Sequence, residues 1–164
     1  PDLLKPDPAP TQTAPSQPAL SVLKSIAFSK KGLPVLGEIA AGHFHQPFTD
    51  EIDEYLDISY SGRKNSDYVL RISGKSMIGA GIPDGAYVGI RPVPKDYHPR
   101  PGEIVAVWVD GEGATLKHYY QKDSTVVLEA ANPDYKPIIL DLTTTEVTVQ
   151  GTHIFTHWQT PGIV

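Results

Sequence analysis

From residue 34 onward, apolar and polar residues alternate in short runs, the two-residue period of strands that bury one face. Nine runs carry the pattern, at 34–40, 52–58, 67–73, 85–91, 103–109, 114–121, 125–130, 137–141 and 146–155. Each is rich in Val, Ile, Thr or Tyr. Turn residues separate them: "PDG" at 83–85, "RPG" at 100–102, "DGEG" at 110–113 and "NPD" at 132–134. The stretch "EIVAVWVDGEGATLKHYY" predicts a hairpin folded about its glycine-bearing turn. Helical spacing is confined to "LSVLKSIAF" (20–28), where Leu20, Leu23 and Ala27 share a face, and so short a run does not hold a helix by itself. The chain is expected to be mostly β.

Residues 1–19, "PDLLKPDPAPTQTAPSQPA", depart from this pattern. A segment so rich in Pro, Ala, Thr and Gln buries too little apolar area to offset its ordering entropy. It predicts a disordered, semi-extended tether reaching up to about 60 Å if fully polyproline-like. The expected organisation is a Pro-rich linker over 1–33 and a folded domain over 34–164. A tether implies a domain at its far end, and a chain that starts at Pro1 rather than Met is expected to have lost something upstream.

Composition narrows the chemistry. With 164 residues, 40% of them hydrophobic, the chain can build one core without a disulfide or metal staple. It has no cysteine, which excludes a thiol nucleophile and a Cys-rich zinc site. The formal charge of −5 repels phosphate, so this segment is not expected to bind nucleic acid strongly by itself. No apolar run approaches the ~20 residues of a membrane span, and no signal-peptide core is present.

Within the strand pattern, "ISGKSM" (72–77) is a break: a strand runs into a glycine turn that displays Ser76 beside the chain's one methionine. Gly74 permits a close backbone approach, and local N–H groups could stabilise an oxyanion. Ser76 is thus either an ordinary turn serine or a nucleophile awaiting a base. No Ser-His-Asp order is evident and Gly-x-Ser-x-Gly is absent, which leaves a lysine. In "ATLKHYY" alternation puts Thr115, Lys117 and Tyr119 on one face and Leu116, His118 and Tyr120 on the other. Lys117 is either an edge charge or a buried neutral amine. An ordinary lysine is neutral in only about one molecule in a thousand near pH 7.4, so a base at 117 needs burial that lowers its pKa by about 3. His43 and His45 form an H-x-H pair without an evident third ligand, so no metal is expected. Trp108 and Trp158 are expected in the core or an interface.

Four segments together resemble the LexA/UmuD family of self-cleaving proteins. "ISGKSMIGAGIPDGAYVGI" is similar to the family's serine turn, "ATLKHYY" to the strand with its lysine base, and "LEAANPDYKPIIL" to the stretch that follows. "EIAAGHF" (38–44) resembles the cleavage segment. The segments come in the family's order across residues 34–156, and Gly42 lies 34 residues before Ser76, as is typical of LexA. Lys117 follows Ser76 by 41 residues, a few more than in the best-known LexA, with "KDYHPRPGE" (95–103) the expected insertion.

The resemblance implies a compact antiparallel β-sheet or partial barrel of the LexA/signal-peptidase type. It assigns Ser76 as nucleophile, Lys117 as general base and Ala41–Gly42 as the cleaved bond, with backbone N–H groups of Ser76 and Lys75 as oxyanion donors and no cofactor. The Lys75 side chain is expected to point outward. The implied protein is a cytoplasmic repressor of the DNA-damage (SOS) response, cut by itself when stimulated by a RecA–single-stranded DNA filament. Its implied partners are a second copy, paired through "TTTEVTVQGTHIF", and operator DNA, bound by an N-terminal domain absent from this chain. The alternatives are a UmuD-like polymerase accessory, a prophage repressor, or a non-enzymatic dimerisation module with an idle Ser–Lys pair. Signal peptidases share Ser-Gly-x-Ser-Met but need a membrane anchor.

Overall fold

The computed structural model describes residues 32–40, 52 and 54–159. Nine strands form one curved sheet: β1 (Leu33–Ala40), β2 (Tyr55–Leu56), β3 (Tyr68–Ser73), β4 (Tyr87–Pro92), β5 (Glu103–Val109), β6 (Gly113–Lys122), β7 (Thr125–Glu129), β8 (Ile138–Asp141) and β9 (Val147–His157). They lie in the order β2-β1-β3-β4-β9-β5-β6-β7-β8. The expected hairpin is present, with Glu103 opposite Tyr119 and Val109 opposite Gly113. Pairing is antiparallel throughout, with one departure from the all-antiparallel expectation: β1 runs parallel to β3. The sheet also curls so that β1, near one edge, packs against β6, giving the partial-barrel form.

Alternation accounts for the packing. On β5, Ala106 faces a core built from Leu36, Ile39, Leu70, Ile72, Met77, Val88, Ile90 and Leu116. Val105, Val107 and Val109 face a second one with Tyr119, Val126 and Leu128. The central strands are covered on both sides, which explains why their apolar runs are nearly continuous. Gly89 lets Phe155 pack onto β4: a Cβ there would sit 2.1 Å from the Phe155 ring.

The run expected at 52–58 shrinks to Tyr55–Leu56. Its polar residues turn outward from the pairing, and Glu54 instead meets the Arg71 guanidinium at 2.6 Å and the Tyr87 hydroxyl at 2.5 Å. The helical spacing at 20–28 and the proline-rich stretch lie outside the described residues. Among the described residues, no helix is long and apolar enough to cross a membrane.

Candidate active site

The serine turn is held at each of its joints. Gly74 takes φ 102°, a left-handed conformation that side chains resist, and its N–H donates to Asp84 at 2.7 Å. Met77 follows Ser76 and is the anchor: its side chain is 1% exposed within the Ile72–Leu116 core. Its carbonyl accepts the N–H groups of Ala80 and Ile82, closing a short 3-10 turn (Ile78–Ala80) that the sequence pattern does not signal. Gly81, at φ 76°, ends that turn. Ser76 is therefore suspended between a glycine bend and a buried methionine.

Facing it is Lys117, in the interior strand β6 between β5 and β7. The edge-charge reading does not hold, since Lys117 is only 5% exposed, as is Ser76. Lys117 Nζ lies 3.2 Å from Ser76 Oγ, 2.9 Å from Thr115 Oγ1 and 3.1 Å from the Leu116 carbonyl oxygen. As an ammonium it donates to all three. As a neutral amine it keeps two N–H donors and gains one lone pair. The Leu116 carbonyl can only accept, and the Thr115 hydroxyl can take the second N–H. That leaves the lone pair for the Ser76 hydroxyl proton. The three partners match the hydrogen-bonding capacity of the uncharged form.

Burial among apolar groups brings Lys117 down from an ordinary 10.5 to about 8. Roughly one molecule in ten then carries the free amine at pH 7, a hundredfold gain over an exposed lysine. Lys75, next to the serine, is exposed, and burial rather than its charge is what lowers Lys117. The small cleft over the pair is lined by Ile39, Ile72, Ser73, Ser76, Met77, Leu116 and Lys117. Such walls supply the desolvation, and they offer space for a narrow main chain and small side chains.

Ile39 ties β1 to this cleft. The last pair between β1 and β3 is Ala40 with Ser73, so the chain reaches residue 40 beside the serine turn. Ala41, Gly42, His43 and His45 lie outside the described residues. Among the described residues, the Ser76 N–H donates no backbone hydrogen bond. Sequence reasoning placed Thr115 on the Lys117 face but missed its hydroxyl as a lysine partner; a hydroxyl two residues from a buried lysine on one strand is the signal for it. It also passed over Asn132, whose side-chain amide donates to the Lys75 carbonyl at 2.8 Å.

Comparison with known proteins bears on the same region. The Peptidase S24-like family profile matches residues 34–154. A LexA repressor of Geobacter metallireducens is 38% identical over 119 residues, which are 73% of this chain and 57% of that protein. A LexA repressor of Vibrio parahaemolyticus is 33% identical over 135 residues, 79% of this chain and 61% of that one. One of Deinococcus radiodurans is 38% identical over 110 residues, 63% of this chain and 49% of that one. The chain thus spans about half to three-fifths of the length of these relatives.

Proposed function

Because this chain belongs to the Peptidase S24-like family, we propose that it is the self-cleaving and dimerising part of a LexA-type repressor of the DNA-damage response. The observation that carries the reading is the buried Lys117 amine 3.2 Å from the Ser76 hydroxyl. Ser76 is the nucleophile, Lys117 the general base and Ala41–Gly42 the substrate. Neutral Lys117 takes the Ser76 proton as Oγ attacks the Ala41 carbonyl carbon. The oxyanion settles on the Ser76 N–H. The protonated lysine then delivers its proton to the departing Gly42 nitrogen, leaving an Ala41 ester on Ser76. Water, deprotonated by Lys117, hydrolyses that ester and frees the serine.

Small residues at 40–42 suit a cleft this narrow. Ile39 already lines it, so the segment that follows β1 needs only a local excursion to present Ala41. A partner such as a RecA–single-stranded DNA filament accelerates cutting by favouring the docked segment, without adding a catalytic group. The DNA-binding domain belongs to the part of the protein that this chain does not span, joined through residues 1–33. Dimerisation of the present domain holds two such heads on a palindromic operator in the cytoplasm, and cutting removes the covalent link on which their avidity depends.

Alkaline incubation followed by mass spectrometry tests the reading. The expected products divide between Ala41 and Gly42, with a first-order rate that rises with pH about a midpoint near 8. Ser76→Ala, Lys117→Ala and Lys117→Arg should each abolish cutting, the last because a guanidinium stays charged. A wild-type chain still whole at pH 10, alone and with activated RecA, would return the domain to an interaction module with an idle pair.

A further inference from the structure

Two consecutive residues of the β7–β8 connection grip the serine turn at both ends. Asn132, 8% exposed, donates its Nδ2–H to the Lys75 carbonyl at 2.8 Å across 57 residues of sequence. Its Oδ1 accepts the Asp134 N–H at 3.0 Å, and its carbonyl accepts the Tyr135 N–H, so the amide cannot rotate freely. One residue earlier, the Ala131 carbonyl accepts the Gly79 N–H at 2.7 Å. A Cβ on Gly79 would lie 2.5 Å from that oxygen, so this approach is open to glycine alone.

The consequence follows from peptide geometry. The Lys75 carbonyl and the Ser76 N–H belong to one planar trans unit, in which O and H point to opposite sides. Holding the oxygen toward Asn132 fixes the N–H in the opposite direction. A carbonyl that accepts a hydrogen bond also polarises its own peptide, strengthening the N–H as a donor. We propose that Asn132 is a positioning residue that orients and polarises the Ser76 N–H as the oxyanion donor. This rests on the reading of Ser76 as the nucleophile.

The test uses Asn132→Asp, which keeps the side-chain volume but cannot donate when ionised, alongside Asn132→Ala. Self-cleavage is followed across pH with the whole chain. Both variants should lower the high-pH plateau about 10- to 100-fold, the range left when an oxyanion donor is weakened rather than removed. The midpoint near 8, set by burial of Lys117, should stay in place. An unaltered plateau overturns the proposal. So does a displaced midpoint with the plateau intact, which would mean that Asn132 acts through the lysine. A second readout needs no cleavage: the Ser76 amide nitrogen resonance, recorded at pH 6.5, should move upfield in both variants, and a stationary resonance overturns the proposal. If the wild type never cuts but the resonance moves, the protease reading falls and the positioning stands. Should both variants lose their melting transition, Gly79→Ala displaces the same connection from its other contact and is expected to depress the plateau likewise.

Discussion

At position 117 the fold keeps an ionisable amine among apolar walls, and holding it charged has a cost that can be read from both directions. Its folded pKa, about 8, is below the ordinary 10.5. The folded state therefore binds fewer protons than the unfolded chain between those values, and stability rises with pH across that window. Below pH 8 the penalty is fully present, on the order of 3 kcal/mol for such a displacement. In an uncut Ser76→Ala background, Lys117→Met is thus expected to stabilise the domain by up to about 3 kcal/mol at pH 7. The gain should fade as pH approaches 10, and urea titrations at the two pH values measure it. A Lys117→Met domain less stable than its parent at pH 7 would show that the contacts of Lys117 with Thr115 and Leu116 outweigh its desolvation.

Between residue and sheet lies a second buried charge, with structural consequences. Asp67, 1% exposed at the start of β3, receives two hydrogen bonds from Arg91 on β4, one from the Tyr60 hydroxyl and one from the Lys64 N–H. Burial pushes its carboxyl up, but the Arg91, Tyr60 and Lys64 contacts outweigh burial and hold it below its ordinary 3.8. A depressed carboxylate contributes stability above its unfolded pKa and loses it as pH falls through the folded value. Asp67→Ala should therefore cost about 3 kcal/mol at neutral pH, since it strips Arg91 of its partner and frees the 57–67 loop. The loss should shrink below pH 3. Denaturant midpoints at both pH values check it.

At the level of elements, the strands were legible wherever alternation was clean. Val105, Val107 and Val109 set β5 to its ends, and the Asp110-Gly111 turn set its hairpin with β6. The run at 52–58 was misread in length because Glu54 is spent on Arg71 and Tyr87 rather than on a ladder. The parallel pairing of β1 with β3 was illegible, as strand periodicity carries no direction. Met77 could be noticed as the chain's one methionine, but its role as anchor depends on a core assembled from five strands. The Ser76–Lys117 meeting was reached through the order of four motifs. Asn132 was not, because a side chain bonded 57 residues away is a property of the tertiary fold.

For the whole molecule, the long strand β9 governs assembly. It pairs with β4 from Gly151 to His157 but with β5 only from Val147 to Thr152. Its last five residues thus present an edge without a paired strand among the described residues, and Trp158, 47% exposed, continues it. An edge of this kind accepts a second strand. The domain should sediment as a dimer at micromolar concentration, and Trp158→Lys should weaken association at least several-fold. A monomer at all concentrations would remove β9 from the proposed assembly.

The place of β1 also sets what happens after the bond breaks. β1 precedes Ala41, yet it is stitched to β3 at five positions and buries Leu33, Leu36 and Ile39. Each of these side chains contributes roughly 1.5–3 kcal/mol while it stays buried. Scission between Ala41 and Gly42 would therefore leave a nicked molecule whose two pieces still travel together, like a zipper cut at its tape but not unfastened. The lifetime of the operator complex would then be governed by how fast this short strand peels away, a rate that dilution after cutting would expose.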